Sequence, residues 1–424
     1  MSATAPLAAA RPGALPILLP GLLLAAALAA SGPARAQESG PAFAGPRVEA
    51  AGPRAVGAGP RAEGAEPLGA AMGLAAAPLD PAREAGATAA AEASEIPPGP
   101  DGSQEPPAED LPPQADADAR GTLSVTFEND IFGDDDKDYT NGVRFDYVTP
   151  RNNLTGAGRL AKRGLFGWFS DADDWYEFYT LGQNIYTPSD ISRRNPPPGD
   201  RPYAGFLYGG FGVSADRGDR LDTIALEVGV VGPSSQADRT QTLVHDVIGA
   251  QKPRGWRTQL EDEPGVRLVY ERKWRFGADL PLPALDLSVD WAPSITASLG
   301  NVETSIAAGG ILRLGQDLAD GYGPPRVRPA VASPGFFRNQ DDFGWYVFAG
   351  VEGRVVGRNI FIEGNTWGGV DGVEPNRLVA DVQAGVAVQV GRVELSFTQV
   401  LRTEEYAAQD GPAVFGSINL RTRF

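Results

Sequence analysis

Residues 378–390 read Leu378-Val379-Ala380-Asp381-Val382-Gln383-Ala384-Gly385-Val386-Ala387-Val388-Gln389-Val390. Leu378, Ala380, Val382, Ala384, Val386, Val388 and Val390 take every second position, with Asp381, Gln383 and Gln389 between them. A period of two sends successive side chains to opposite faces of a strand, here one apolar and one polar. The pattern recurs at Leu123, Val125, Phe127; at Val143, Phe145, Tyr147; and at Leu285, Leu287, Val289, Trp291. Working outward, twelve strands are expected, at about 121–130, 139–149, 175–187, 203–214, 221–231, 265–276, 284–298, 301–315, 343–355, 378–390, 392–402 and 413–424.

Such strands build either a soluble sandwich or barrel with its apolar face inward, or an outer-membrane barrel with its apolar face toward lipid. The segments approach the about 9–11 residues of a tilted membrane-spanning strand. Arg144, Asp146, Glu227, Glu271, Arg313 and Glu352 fall mid-strand on the polar parity, where a packed apolar core would not accept charge. Tyr147, Trp274, Trp291, Trp345 and Phe424 lie toward strand ends, as aromatic girdles do. The chain finishes on an alternating strand with a terminal aromatic, Phe424, resembling the signal read by the bacterial barrel-assembly machinery. The expected fold is all-β: a 12-stranded antiparallel transmembrane β-barrel over 121–424, in a bacterial outer membrane. An even strand number leaves both ends of the chain on the periplasmic side. The connections 131–138, 188–202, 232–264, 299–300, 356–377 and 403–412 then face the cell exterior. The connections 150–174 and 316–342 are long for periplasmic turns.

Composition removes several function classes. With 37 Lys+Arg against 54 Asp+Glu the net charge is −17, against a basic nucleic-acid binder. There is no cysteine and one histidine, which excludes thiol chemistry, Cys-ligated zinc and the paired imidazoles of zinc proteases. Ahead of the barrel, Leu15–Ala30 is an apolar stretch followed by Ala34-Arg35-Ala36, so 1–36 reads as a cleaved signal peptide. Residues 37–120 are rich in Ala, Pro, Gly and Glu, repeat Ala-Gly-Pro-Arg at 44–47, 51–54 and 58–61, and read as a disordered segment.

The first hairpin runs Glu128-Asn129-Asp130 through an acidic loop to Tyr139-Thr140-Asn141, bringing Asn129, Asp130 and Thr140 to the exterior rim. Carboxylate and amide oxygens there suit a hard cation; a solvated acidic loop is the plainer alternative. In the third exterior connection Leu243, Val244, Val247 and Ile248 recur at helical spacing, predicting a short amphipathic helix that carries His245. Histidine is the side chain suited to proton transfer near neutrality, though a lone histidine is also commonly structural. No Gly-x-Ser-x-Gly is present; water activated by histidine beside a metal-held oxyanion suits the inventory better.

Several separated motifs, in order, resemble the outer-membrane lipid A 3′-O-deacylases (the LpxR family). They are Glu128-Asn129-Asp130 with Asp138–Gly142, Asp200-Arg201-Pro202-Tyr203-Ala204-Gly205, Gly232-Pro233-Ser234 through His245–Gly249 to Gly255-Trp256, Glu263-Pro264-Gly265, Gly300-Asn301-Val302, Gly344-Trp345-Tyr346 and Val400–Tyr406. The resemblance implies a calcium-dependent hydrolase that removes the 3′ acyloxyacyl ester of lipid A, the lipopolysaccharide anchor, in the outer leaflet. It implies His245 as general base, Asp130 as calcium ligand, and Asn129 and Thr140 orienting the site or the oxyanion. Gln251 stands where the family pattern leads one to expect an acidic residue. Arg201, Lys252 and Arg254 lie on exterior connections, where they could meet lipid phosphates or be solvated loop charges. A passive outer-membrane channel, or a structural barrel without hydrolase activity, is the alternative.

Overall fold

In a barrel set in lipid the apolar face of each strand must look outward, and the sequence alternation becomes an inside-out core. The computed structural model describes residues 120–133, 138–169, 172–282, 285–316, 318, 321–324 and 343–424. The expected signal peptide and the Ala/Pro/Gly/Glu-rich segment lie outside these residues, except for Arg120. Thirteen strand segments follow: β1 (Thr122–Asn129), β2 (Asp138–Val148), β3 (Asp174–Thr187), β4 (Ala204–Asp216), β5 (Arg220–Val231), β6 (Glu263–Trp274) and β7 (Phe276–Leu282). Then come β8 (Leu285–Gly300), β9 (Glu303–Gln316), β10 (Phe343–Asn359), β11 (Leu378–Val390), β12 (Val393–Arg402) and β13 (Ala413–Arg423). All pairings are antiparallel; β1 pairs β13 and β6 pairs β8, so the sheet closes.

β6 and β7 form one stave. They pair with β8 in a single register, from Arg267↔Gly300 to Lys273↔Ser294 and on from Phe276↔Trp291 to Leu282↔Leu285. Only Arg275 interrupts them. The barrel therefore has the expected twelve staves, and its β6–β7/β8 hairpin runs past the start of β5 at Arg220.

The polar parity points inward. Arg144 donates to Asp146 at 2.8 Å, Arg267 bridges Glu227 and Glu303 at 2.6 and 2.9 Å, and Arg354 and Arg402 share Asp381 at 2.9 and 2.8 Å. Arg313 pairs with Asp290, and Arg421 with Glu394. Arg144, Arg313 and Arg421 are each 1% exposed, so these inward charges are packed against neighbours. Desolvated charges persist when paired and hydrogen-bonded. The opposite parity carries Leu181, Val228, Leu268, Ile306, Val351, Val382 and Leu395, all exposed. These are the lipid-facing positions.

The end of the barrel holding the β1–β2 connection is called upper, the end holding Thr122 and Arg423 lower. Inside the upper end Tyr139, Tyr186, Phe206, Tyr208, Ile360, Phe361, Val400 and Phe415 form an apolar plug. Inside the lower end Tyr176, Phe178, Leu221, Val269 and Tyr322 form another. Burial beside Asp216 raises the pKa of the Tyr322 hydroxyl, which donates to Asp216 Oδ1 at 2.9 Å.

Two long connections hold helices. α1 (Gly156–Phe169) lies in the lower β2–β3 connection, where the sequence predicts length but no element. α2 (Ala237–Ile248) lies in the upper β5–β6 connection, as expected. A single turn, α3 (Ile360–Glu363), follows β10. No described helix is long and apolar enough to cross a membrane.

Candidate active site

The site is assembled on the outside of the wall, at its upper edge. Along β1, Ser124, Thr126 and Glu128 face the lumen, which sends Asn129 to the outer side. In β2, Tyr139 pairs with Tyr186 and Asn141 with Ile185, leaving Thr140 as an extra, bulged residue. Bulges re-aim a side chain out of the regular alternation. The Asn129 amide donates to the Thr140 carbonyl at 2.9 Å, and its oxygen accepts the Ile131 N–H at 2.8 Å. The Thr140 hydroxyl shares a 2.7 Å hydrogen bond with that of Thr187. Tyr186 stacks on Phe361 inside the barrel, so its neighbours Ile185 and Thr187 face out.

α2 is clamped on this outer face. Ile185 packs with Ala237, Tyr203, Trp256 and Ile191, and the Gln183 amide donates to the Ser235 carbonyl at 2.6 Å. Gly205 allows the approach, since a Cβ there would lie 2.2 Å from Ser235 Oγ and 2.3 Å from Ala237 Cβ. The helix is turned so that Ala237, Gln241 and His245, four apart, form its buried stripe. Leu243 and Val247 are 63% and 46% exposed. The apolar side of this helix thus looks away from the protein, the orientation expected beside lipid.

His245 is 5% exposed. The helix ends at Gly249, whose φ of 72° suits glycine, and the chain turns back so that His245 Nδ1–H donates to the Gln251 carbonyl at 2.5 Å. A carbonyl oxygen only accepts, so Nδ1 carries the proton, which in the neutral ring leaves the lone pair on Nε2. The residue at 251 acts through its backbone. Gln241, one turn before His245, accepts from Trp256 Nε1 at 2.8 Å, fixing the returning strand of the loop.

The structure thus joins Asn129 to Thr140 directly, and links that pair to the α2 wall through β3, where Thr187 holds Thr140 and Ile185 underlies the helix. Asp130, 4% exposed, opens the 3-10 turn Asp130–Gly133 that follows Asn129. Lys252 and Arg254 are exposed beyond α2; Lys252 Nζ lies 2.6 Å from Asp246 Oδ1, and the Arg254 N–H donates to the Ile191 carbonyl. Arg201 corrects the expectation of a phosphate contact. It is 0% exposed, stacks on Tyr186, donates to the Phe361 carbonyl and pairs with Glu405 at 3.6 Å. Its work is to join the upper connections from within.

Other recurrent motifs have the same stitching role. Asp200 accepts from the Tyr406 hydroxyl at 2.6 Å, and Glu263 accepts from Asn301 at 2.8 Å. Thr187 and Gln241 escape the sequence reading. Gln241 could be found there as the polar residue one helical turn from His245; Thr187 could not, because its pairing depends on the bulge.

Among the described residues, no three histidine, aspartate or glutamate side chains come together to hold a metal. Asp134, Asp135 and Asp136 lie outside the described residues. The donors at this rim are oxygens, namely the Asp130 carboxylate, the Thr140 hydroxyl and backbone carbonyls. Oxygen donors of this kind fit a hard cation such as calcium, and Asp130 is the carboxylate among them that would carry charge to it.

A family model described as outer membrane protein LpxR matches residues 102–424. Among solved structures, LpxR from Salmonella typhimurium is 22% identical, with a TM-score of 0.59, and the match covers 72% of this chain and 100% of that one. The β-domain of the Bordetella autotransporter BrkA is 12% identical, with a TM-score of 0.37, over 72% of this chain and 100% of that one. No curated protein matches the chain in sequence. The Salmonella likeness carries the barrel fold.

Proposed function

Because the chain belongs to the LpxR family of outer-membrane proteins, we propose that it hydrolyses the 3′-linked acyloxyacyl ester of lipid A, with its upper end at the cell exterior. The observation that carries this reading is His245 on the buried polar stripe of a helix clamped to the outer face of the wall, on the same β3 strand whose Thr187 holds Thr140. Lipid A is confined to the outer leaflet, so its hydrolase needs a site that opens sideways toward hydrocarbon. Leu243 and Val247 supply an apolar boundary there, and Lys252 and Arg254 supply exposed cations for lipid phosphates.

His245 works as a neutral base. With Nδ1–H held by the Gln251 carbonyl, Nε2 takes a proton from water as its oxygen attacks the ester carbonyl carbon. The tetrahedral intermediate collapses by breaking the bond to the sugar oxygen. His245 returns its proton to that oxygen, leaving a free 3′ hydroxyl and an acyloxyacyl carboxylic acid. The Asn129 amide has two hydrogens; one goes to the Thr140 carbonyl, and the second serves the oxyanion. Thr140, anchored by Thr187, sets the position of that amide. Calcium, when bound through Asp130, would add charge stabilisation at the same oxygen, several kcal/mol in comparable sites.

The test is direct. Purified protein incubated with lipopolysaccharide and calcium should lower the lipid A mass by the 3′ acyloxyacyl unit, and chelator or His245→Ala should prevent it. An unchanged lipid A mass with folded wild-type protein and calcium overturns the reading. Among the described residues, the packed inward charges and the apolar clusters at both ends weigh against a passive channel, which needs a continuous aqueous path.

A further inference from the structure

The β2–β3 connection carries a feature that the hydrolytic site leaves unused. α1 holds Arg159, Lys162 and Arg163 and no acidic residue in its 14 positions. It lies against the outside of the barrel at the lower end. Leu154 and Phe169, with Leu165, pack on Trp175, Ala215, Ile224 and Tyr270. The register opposes Trp175 to Ala215 and Ile224 to Tyr270, and alternation turns all four away from the lumen, which Tyr176, Phe178, Ala225 and Val269 occupy. α1 therefore covers part of the wall that elsewhere meets lipid.

Its start is fixed to the wall at the level of the aromatic girdle. Glu177 accepts from the Thr155 N–H at 2.8 Å and from the Thr155 hydroxyl at 2.7 Å, and the Tyr179 hydroxyl donates to the same carboxylate. A Cβ at Gly158 would fall 2.1 Å from Glu177 Oε2, so glycine permits the close packing. Tyr179, Tyr147 and Phe424 are exposed, outward-facing aromatics on this side, as at the boundary between hydrocarbon and headgroups.

Arg159 and Arg163 are exposed, and Lys162 Nζ lies 4.9 Å over the Trp175 ring. None of the three makes an ion pair among the described residues, in a chain of net charge −17. Together with Asn152, Asn153 and Leu154 they line an open cleft of about 660 Å³. Leu160, within the same helical turn, is 70% exposed. An apolar side chain beside uncompensated cations, at headgroup depth, is the chemistry of a helix lying in a membrane interface.

We propose that α1 is an interfacial helix whose basic cleft binds the phosphate of an anionic phospholipid, in the leaflet that meets the lower end of the barrel. This rests on the outer-membrane setting and not on the hydrolytic reading. Arg159, which also donates to the Leu154 carbonyl, lines one opening with Lys162 and Arg163; three cations on one cleft suit a phosphate oxygen set, while Leu160 and the adjoining wall meet the acyl chains. Surface attraction of about 1 kcal/mol per basic residue corresponds to roughly fivefold each in affinity, or about a hundredfold for the three.

The test uses the full chain folded in neutral detergent. Native mass spectrometry, titrating phosphatidylglycerol or phosphatidylethanolamine, should show adducts favouring phosphatidylglycerol. The triple variant Arg159→Gln, Lys162→Gln, Arg163→Gln should lose that preference, while the double variant Arg159→Lys, Arg163→Lys should keep it. A heat-modifiable gel band verifies that each variant is folded, and lipid A release by the triple variant in detergent should match wild type. Equal adducts with both lipids, or a triple variant that retains the preference, overturns the proposal. Loss of lipid A release in wild type, with the lipid preference intact, would instead strike the hydrolytic reading alone.

Discussion

His245 donates its Nδ1 proton to the backbone carbonyl of Gln251, across the left-handed turn at Gly249 that ends the helix carrying the histidine. One short loop therefore fixes both the ring orientation and its tautomer.

His245→Ala should lower lipid A release by roughly 10²–10⁴-fold, the usual worth of a positioned base, with the folded band on heat-modifiable gels unchanged. Gln251→Ala should stay close to wild type, because the acceptor belongs to the backbone. Mass spectrometry of lipid A reads both, and a strong Gln251→Ala defect would contradict the backbone assignment.

Asn129→Ala removes a donor to the Thr140 carbonyl and an acceptor for the Ile131 N–H. A buried partner left unsatisfied costs about 1–3 kcal/mol. The upper edge of β1–β2 should exchange amide hydrogen faster while β8–β11 do not, and acyl release should fall. Thr140→Val should do the same through the lost contact with Thr187.

Calcium removal should abolish acyl release, and re-addition should restore it. Asp130→Asn should raise the calcium concentration needed for half-maximal rate, while leaving the folded barrel intact. If chelator leaves the rate unaltered, calcium has no part in the reaction.

Much of this molecule is legible from side-chain alternation. Arg144, Asp146 and Arg313 announce a charged lumen because no apolar core would hold them, and strand boundaries such as Leu378–Val390 follow from the same period. What escapes is set by distant partners or by the solvent. Arg201 reads as a loop cation, yet Tyr186 and Glu405 draw it fully inside. The apolar positions of α2 show a helix but not that Leu243 and Val247 face outward, since only the wall beneath decides which side is covered. α1 contains Gly156, Gly158, Gly164 and Gly167, a weak helix former by propensity, and packing on Trp175 and Tyr270 overrides that weakness.

Arg267→Ala should destabilise the barrel by about 3–5 kcal/mol, because it strands Glu227 and Glu303, both buried, without their cation. The urea midpoint in detergent should drop accordingly. Arg254→Ala, at an exposed position beyond α2, should leave that midpoint where it was.

Leu243→Asp with Val247→Asp places charge on the outer side of α2. Release from lipopolysaccharide embedded in vesicles should fall far more than release from detergent-dispersed substrate. Equal losses in both would mean that this side of the helix does not meet lipid.

The proposed base, seated on the outer skin of the wall, carries a kinetic consequence. On that reading its substrate arrives by lateral diffusion within a two-dimensional film and does not pass through bulk water. The governing variable is then areal density, so diluting lipopolysaccharide with inert amphiphile at fixed bulk concentration should slow turnover, whereas diluting the whole suspension should not.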